Sequence, residues 1–172
     1  ARDLPSIEQI DSRRVQQSTK IYDRTGGVLL YEISAGQKRT VVPFEELPLR
    51  LKQATIAVED ENFYSEPGFD WRAIVRAVLV NLRLREGYAG QGGSTITQQL
   101  ARNAFLSPER TITRKLRELI LAIYLDRHYT KDQILWLYLN EIPYGSTLYG
   151  AEAAARAFFG KSVKDLSLAE SA

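Results

Sequence analysis

A short acidic cluster could supply a catalytic base. Glu59, Asp60 and Glu61 follow one another at the end of a predicted helix, just before the Pro67-Gly68 turn. The C-terminus of a helix carries partial negative charge and neighbouring carboxylates repel one another, so the protonated form of a carboxyl group is favoured there. A carboxylate in this setting accepts protons more readily and suits general base catalysis. Taken alone, the cluster also fits a solvated acidic helix end.

A cationic helix face could bind an anion. On a helix, Arg114 and Glu118 are at positions i and i+4, and Lys115 and Glu118 at i and i+3, so two cations flank one carboxylate. Arg110 is expected one turn earlier on the same side. Such a face can grip a diphosphate, and Glu118 could orient the cations or help to hold a divalent metal. For this segment alone, an ordinary salt-bridged surface helix is the alternative.

Together, the two groups indicate sugar chemistry with a phosphate leaving group. Two carboxylates in different electrostatic settings can divide catalytic roles, as in glycosidases. A hydrolase must protonate a poor alcohol leaving group, and Glu118, surrounded by cations, is in the wrong setting for a proton donor. A diphosphate leaving group instead needs its charge neutralised. The remaining requirement is a base for the attacking hydroxyl, and Glu59 fits it.

A polar run separates the two groups. Residues 91–103 contain three hydroxyls and four side-chain amides behind a Gly92-Gly93 hinge: Gln91, Ser94, Thr95, Thr97, Gln98, Gln99 and Asn103. Neutral donors and acceptors in this number suit a ligand with many hydroxyls, although a capped helix start with polar decoration would also explain them. None is a plausible base at neutral pH, so the run is interpreted as a cradle for sugar and phosphate oxygens.

The composition narrows the class of site. The 172 residues contain no Cys and one His, His128, which excludes disulfides and thiolate metal sites and disfavours a Ser-His triad or a multi-His metal site. Residues 72–131 hold eleven Lys and Arg against four acids, between acidic flanks, which predicts an anionic ligand or a solvated basic face. Charge alone leaves nucleic acid open as a ligand.

No apolar run reaches the roughly 18 residues that span a bilayer. Since Met is absent, even at position 1, we expect a processed product or an excised domain.

The elements that must position these groups are mainly helical. A β-hairpin is predicted over Ser18–Ser34 around the turn Asp23–Gly27, with a further extended piece at Val41–Pro43. Helix, loop and cap signals predict a series of elements after it: helix Leu49–Glu61, a helix capped by Asp70, a glycine-rich loop at 84–93, a helix with the capping box Thr95 and Gln98, a helix from Ser107-Pro108 to about Arg127, a helix begun by Thr130 and Gln133, and helix Tyr149–Phe159 ended by Gly160. We therefore expect a lead-in at 1–47 and a main domain at 48–172, which stops in a helical pattern at Leu168–Ala172.

Five sequence blocks carry a family resemblance. They occur in order: Glu59-Asp60-x-x-Phe63 with Gly68; Gly92-Gly93-Ser94-Thr95-x-Thr97-Gln98-Gln99-Leu100; Arg114-Lys115-x-x-Glu118; Lys131-x-x-Ile134-Leu135-x-x-Tyr138-Leu139-Asn140 with Gly145; and Tyr149-Gly150 through Ala153-Ala154 to Phe159-Gly160-Lys161. From about Ala54 to Ala172, the chain resembles the peptidoglycan glycosyltransferase (murein polymerase) domain of class A penicillin-binding proteins and monofunctional transglycosylases. The resemblance implies a lysozyme-like α fold with two lobes and a cleft.

The resemblance also implies an activity and its residues. The activity is polymerisation of lipid II, an undecaprenyl-diphosphate-linked disaccharide pentapeptide, with inversion at the anomeric carbon. Glu59 would deprotonate the acceptor hydroxyl, and Glu118 would act near the diphosphate. The implied substrate-binding residues are Asp60, Phe63, Ser94, Thr95, Thr97, Gln98, Gln99, Arg102, Arg110, Arg114 and Lys115. The glycine-rich stretch 84–93 corresponds to the family's flexible segment, with a membrane-dipping surface beside it.

The implied setting is the outer face of a bacterial cell membrane, with the anchor absent from this chain. Expected partners are lipid II, the growing glycan strand, the membrane surface and other cell-wall synthesis proteins, but no nucleic acid. A divalent cation, Mg²⁺ or Mn²⁺, is expected at the diphosphate, its ligands unknown, with no organic cofactor. The alternatives are a lysozyme-like glycan hydrolase with Glu59 as acid and a catalytically silent lipid-diphosphate-binding scaffold.

Two residues depart from the family pattern. Glu66 stands where the family usually has His, three residues after the Phe of the first block, and it adds negative charge beside the acids. Arg102 stands where the family usually has Lys, so a planar fork replaces a point charge and the geometry at the diphosphate could change. Neither departure changes Glu59 or Glu118.

Overall fold

The N-terminal hairpin forms as the sequence predicts. The computed structural model describes residues 17–33, 36, 38–68, 94–109, 111–145 and 147–172. Strand β1 (Thr19–Tyr22) pairs antiparallel with β2 (Leu29–Ile33). In the turn, one carboxylate oxygen of Asp23 accepts bonds from the backbone N–H groups of Gly27 at 2.9 Å and Val28 at 3.0 Å. This side chain closes the hairpin by bonding its own backbone, as Asp does in tight turns.

A second, two-stranded sheet joins distant parts of the chain. Strand β3 (Lys38–Arg39) pairs parallel with β4 (Leu148–Tyr149). The predicted extended piece at Val41–Pro43 was wrong, because no strand forms there. The backbone N–H and C=O of Val42 are instead bonded by the side chains of Asn140 and Trp136, so they are not available to a sheet.

Helices make up most of the described chain. They are α1 (Leu49–Glu59), α2 (Ile96–Phe105), α3 (Ile112–His128), α4 (Lys131–Glu141), α5 (Ala151–Phe159) and α6 (Leu168–Ser171), with 3₁₀ turns at Phe44–Glu46 and Val163–Asp165. The predicted mainly α, lysozyme-like class with an N-terminal hairpin is therefore confirmed. None of these helices combines the length and the apolar character that crossing a bilayer requires. The predicted helix capped by Asp70 and the loop 84–93 lie outside the described residues.

Three predicted helix boundaries were wrong by a few residues. Helix α1 ends at Glu59 rather than Glu61, and residues 61–65 form turns. Helix α3 begins at Ile112 and not at Ser107-Pro108, because the Thr111 hydroxyl accepts from the Arg114 N–H at 3.1 Å and so caps the later start. Helix α5 begins at Ala151, since the β4 pairing takes up Tyr149.

Three predicted caps are confirmed, those formed by Thr95, Thr130 and Gly160. Thr95 and Gln98 form a reciprocal capping box at the start of α2. Thr130 and Gln133 bond each other in the same way before α4, at 2.8 and 3.2 Å. Gly160 ends α5 with φ +68°, a left-handed conformation that glycine adopts without strain. Local hydrogen bonding therefore sets these helix ends directly from the sequence.

The chain divides into two compact units. The first contains residues 1–51 and 136–172, and the second contains residues 52–135. In the first, the fully buried Asn140 accepts from Val42 N–H at 3.0 Å and donates to the carbonyl oxygens of Val42 at 3.3 Å and Trp136 at 2.9 Å. Gly150 passes so close that a Cβ there would lie 2.7 Å from the Asn140 carbonyl oxygen. The division of the chain into a lead-in at 1–47 and a main domain at 48–172 stays a prediction.

Replacing Asn140 tests this polar junction. Asn140→Leu keeps the volume but leaves the Val42 N–H buried without its acceptor, so we expect the free energy of unfolding to fall by about 1–3 kcal/mol. Urea unfolding measures this loss. Asn103→Leu, at an exposed position of α2, is the control and should stay within about 0.5 kcal/mol of the parent. Equal stability of the two variants would contradict the role of Asn140.

The last helix has a pH-sensitive start. Glu170 accepts from the Ser167 N–H at 2.7 Å in a capping box, and Lys161 lies 2.7 Å from the same carboxylate oxygen. The bond from Lys161, followed by those from the Ser167 side chain and backbone, lowers the pKa of Glu170 from its usual 4.5 to about 2. These bonds favour the ionised carboxylate, which ties the start of α6 to Lys161.

The pH dependence of stability follows from this shift. Because the pKa is lower in the folded state, the stabilisation is fully present above pH 4.5 and is lost as the pH falls through 2. We expect the parent to melt at a higher temperature than Glu170→Gln above pH 4.5 and the difference to disappear near pH 2. Thermal unfolding of both proteins across the acid range measures this. A difference independent of pH would contradict the assignment.

Candidate active site

The end of α1 and the turn after it, residues 59–66, are called the acidic turn, and the ring of Phe63 within this turn is buried. Phe63 is 2% exposed, and the Lys131 ammonium lies 5.1 Å from the centre of its ring. Lys131 also bonds Asp126 at 2.6 Å and the backbone oxygen of Glu66 at 2.9 Å. Glu59, at the end of α1, is exposed. The buried ring therefore holds the turn in place while the carboxylate of Glu59 faces solvent.

Asp60 connects the acidic turn to the start of α2. Its Oδ2 accepts a hydrogen bond from the Ile96 N–H at 3.1 Å. That N–H is one of the first of the helix, which have no partner within the helix, and an anion is favoured there by the helix dipole. The carboxylate of Asp60 thus stabilises the start of the helix that carries the polar run.

Part of the polar run is buried in the helix cap. The Thr95 hydroxyl donates to the Gly68 carbonyl at 2.7 Å and accepts from the Gln98 N–H at 3.2 Å. Thr95, Thr97 and Gln98 are all at least 90% buried. A Cβ on Gly68 would lie 3.0 Å from Thr97 Cγ2, so glycine allows this close approach. Within the described chain, the Thr97 hydroxyl has no hydrogen-bond partner.

Gln99 reaches the acidic turn directly. Its amide nitrogen donates to Glu59 Oε2 at 2.7 Å and to the Ser94 carbonyl oxygen at 3.3 Å. One carboxylate oxygen of Glu59 is therefore held by an amide, in an otherwise exposed side chain. The contact spans 40 positions of sequence, and α1 and α2 supply its two ends.

The cationic face forms on α3 as predicted. Glu118 is 1% exposed; Arg114 Nη1 donates to its Oε2 at 2.8 Å, and the Lys115 ammonium bonds its Oε1. Lys115 also donates to the Ser94 hydroxyl at 3.0 Å. The Lys115 side chain remains 47% exposed. Two cations are thus fixed by one buried carboxylate, and Lys115 is open to a ligand.

Comparison with known proteins decides the family. The transglycosylase family profile matches residues 26–172. The chain belongs to the transglycosylase family. It is 46% identical to penicillin-binding protein 1A of Aquifex aeolicus over 99% of this chain and 23% of the relative. It is 45% identical to penicillin-binding protein 1A of Escherichia coli K12, over 98% of this chain and 19% of the relative. It is 38% identical to penicillin-binding protein 4 of Bacillus subtilis, over 98% of this chain and 28% of the relative.

These matches confirm the resemblance to the peptidoglycan glycosyltransferase domain of class A penicillin-binding proteins and the assignment to that enzyme class. The chain spans only 19–28% of the length of these relatives.

In the second compact unit, hydrogen bonds join six of the thirteen predicted site residues. Glu59, Ser94, Gln99, Lys115 and Glu118 form one hydrogen-bonded group, which Arg114 extends. Arg102 lies half-buried in the last turn of α2. Arg110 lies outside the described residues, so its expected place on the same side as Arg114 and Lys115 stays a prediction.

Sequence reasoning gave Lys131 no site role. Its only signal was its place at the head of the fourth family block. In the structure it joins the acidic turn to Asp126 through the Glu66 backbone, a contact that does not depend on the side chain at position 66. Lys131 therefore bonds residue 66 through its main chain and not through the Glu66 side chain.

The described residues do not fit a metal centre held by the protein. Both carboxylate oxygens of Glu118 are bonded by cations. Within the described ranges, no three His, Cys, Asp or Glu residues are grouped so that they could bind one ion. Magnesium usually binds one or two carboxylates together with substrate phosphates.

Substitution of Asp60 tests its contact with α2. Asp60→Ala removes a charge-assisted acceptor from the helix start, and we expect the free energy of unfolding to fall by about 1–2 kcal/mol. Asp60→Asn keeps a neutral acceptor and should lose less. Urea unfolding measures both, with Glu61→Ala, an exposed neighbour, as the control. A loss from Glu61→Ala as large as that from Asp60→Ala would point to general charge effects instead.

Proposed function

We propose that this transglycosylase domain polymerises lipid II into glycan strands. In this proposal Glu59 is the general base, the anomeric carbon is inverted and undecaprenyl diphosphate is released. The observation that supports it best is the division between the two carboxylates. Glu59 is exposed with one oxygen held by Gln99, whereas Glu118 is buried between two cations.

The base acts on the acceptor. With Oε2 bonded to Gln99, the other carboxylate oxygen of Glu59 remains to take the proton from the acceptor hydroxyl. As that proton moves, the hydroxyl oxygen forms a bond to the anomeric carbon of the donor sugar while the bond from that carbon to the diphosphate oxygen breaks. Attack from the side opposite the leaving group inverts the carbon. General base catalysis of this kind contributes roughly 10²–10⁴ in rate.

The cationic face acts on the leaving group. Negative charge develops on the diphosphate as the C–O bond breaks, and preorganised cations stabilise that charge without reorganisation. Lys115 is the exposed ammonium of this face, and Arg114 adds a guanidinium with its Nε buried and without a hydrogen-bond partner in the described chain. Glu118 holds both cations in position. It therefore positions the diphosphate-binding groups and does not transfer a proton.

The remaining predicted binding residues differ in their exposure, and so in how they could act on a substrate. Ser94 and Arg102 are partly exposed and are proposed to bind substrate directly, as is Arg110. Phe63, Thr95 and Gln98 are buried in the turn and the cap, and Asp60 bonds the start of α2. We propose that these four act through the shape of the site, together with the buried Thr97. A divalent cation, Mg²⁺ or Mn²⁺, at the diphosphate stays a prediction, and no step is assigned to it.

The cellular setting is part of the same proposal. The substrate carries a long lipid, so the domain would work at the outer face of the bacterial membrane, on lipid II and the growing strand. Exposed apolar side chains at Leu116 and Ile120, on the helix that carries Lys115, suit a position near lipid. Other cell-wall synthesis proteins are proposed partners.

One assay separates this function from its alternatives. The domain is incubated in detergent, with divalent cation, with labelled lipid II and separately with pre-formed glycan. Long glycan chains support polymerisation. Cleavage of pre-formed glycan would show a hydrolase, and retention of lipid II without turnover would show a binding scaffold.

Glu59→Gln tests the base. The variant keeps the shape of an exposed side chain but cannot accept the proton, so polymerisation should fall by about 10²–10⁴-fold with an unchanged melting temperature. The rate of chain growth from labelled lipid II measures this. Glu109→Gln, an exposed carboxylate of the same unit, is the control and should keep the parental rate. Chain growth by Glu59→Gln at the parental rate would refute the assignment.

A further inference from the structure

An unbroken series of contacts runs from one carboxylate of the site to the other. It passes from Glu59 Oε2 to the Gln99 amide at 2.7 Å, and from that amide to the Ser94 carbonyl at 3.3 Å. It continues from the Ser94 hydroxyl to Lys115 at 3.0 Å and from Lys115 to Glu118. The acidic turn and the cationic helix are thus connected through the side chain of Gln99 and through the backbone oxygen and hydroxyl of Ser94, none of which carries a charge.

The chemistry of the partners determines how Gln99 is oriented. An ionised carboxylate and a backbone carbonyl are both acceptors only, so the group that faces them must be the NH₂ end of the amide. The hydrogen bond from this NH₂ group to Glu59 Oε2 restricts rotation of the Glu59 carboxylate. The amide therefore selects one orientation of the carboxylate, with its second oxygen left for a proton.

Ser94 is the point where the two halves of this series meet. Its backbone oxygen accepts from Gln99, and its hydroxyl accepts from Lys115. A shift of Ser94 would therefore change both contacts together. Glu59 and Lys115 are otherwise on different helices, separated by 56 positions in the sequence.

We infer that Gln99 and Ser94 form a positioning link, which sets the orientation of the base Glu59 relative to the diphosphate-binding Lys115. This inference rests on the proposed function. It assigns Gln99 to the base rather than to the sugar. Positioning of this kind matters because the reacting atoms must approach to near-attack distance, and a misplacement of about 1 Å can cost 10²-fold in rate.

Gln99→Met tests the first half of the link. Met keeps the unbranched length and the helix propensity of Gln but has no N–H donor. We expect kcat for lipid II polymerisation to fall by about 10–100-fold, with KM changed less than about twofold. Gln53→Met, at an exposed position of α1, makes the same replacement and should leave both constants unchanged.

Ser94→Ala tests the second half. It removes the acceptor of Lys115 but keeps the backbone oxygen that Gln99 uses, so we expect KM to rise by about five- to tenfold and kcat to fall less than in Gln99→Met. If Gln99 and Ser94 belong to one link, the effects of the two substitutions on the rate are not independent. The loss in kcat/KM of the double variant should then be clearly smaller than the product of the two single losses.

A measurement that needs no turnover tests the contact between Gln99 and Glu59 separately from the activity. In ¹⁵N-labelled protein, Glu59→Gln should shift the side-chain NH₂ signals of Gln99 and leave those of Gln53 unchanged. An inactive parent with this shift would overturn the proposed function, and with it any catalytic role of the contact.

Four results would overturn the link in an active parent. They are an unshifted Gln99 signal, a kcat in Gln99→Met within twofold of the parent, losses that multiply in the double variant, or a fall in kcat matched by a fall in melting temperature. The last would make Gln99 a structural residue only. A kcat loss at an unchanged melting temperature, together with the shifted signal and the smaller combined loss, supports the link.

Discussion

The arrangement of this site depends on a carboxylate that has been removed from water. Glu118 is 1% exposed, and an ionised group in that position is tolerated only when cations and hydrogen bonds replace its solvent shell. Arg114 and Lys115 meet that need from one turn away on the same helix. The buried carboxylate thereby holds both cations on one face of α3, where the Lys115 side chain stays 47% exposed.

The opposite setting of Glu59 follows from how its turn is anchored. Phe63 is buried beneath the turn and Asp60 is bonded to the start of α2, so the backbone is held without using the Glu59 side chain. The carboxylate is left exposed, with one amide contact. Two acids of the same chemistry therefore differ because one lies on the buried side of a helix and the other at an exposed helix end.

Much of the fold could be predicted because its signals are local. The hairpin turn at Asp23 and the caps of α2 and α4 are hydrogen bonds between residues two to five positions apart, so residue type decides them. One prediction was wrong because distant groups compete: Val42 has strand-forming character, but its backbone is bonded by Asn140 and Trp136, 98 and 94 positions away. The helix start at Ser107-Pro108 was wrong for a local reason, because Thr111, four positions after Ser107, caps the helix instead.

The same distinction holds for chemistry. The sequence by itself determined the carboxylates, the cations and the pairing of Arg114 and Lys115 with Glu118, because helical spacing places residues three and four apart side by side. It also carried the family blocks. Only the tertiary structure decided that Gln99 contacts Glu59, that Ser94 contacts Lys115 and that Thr95 and Gln98 are buried in a cap. Those contacts depend on how separate helices pack, and residue spacing along the chain does not contain that information.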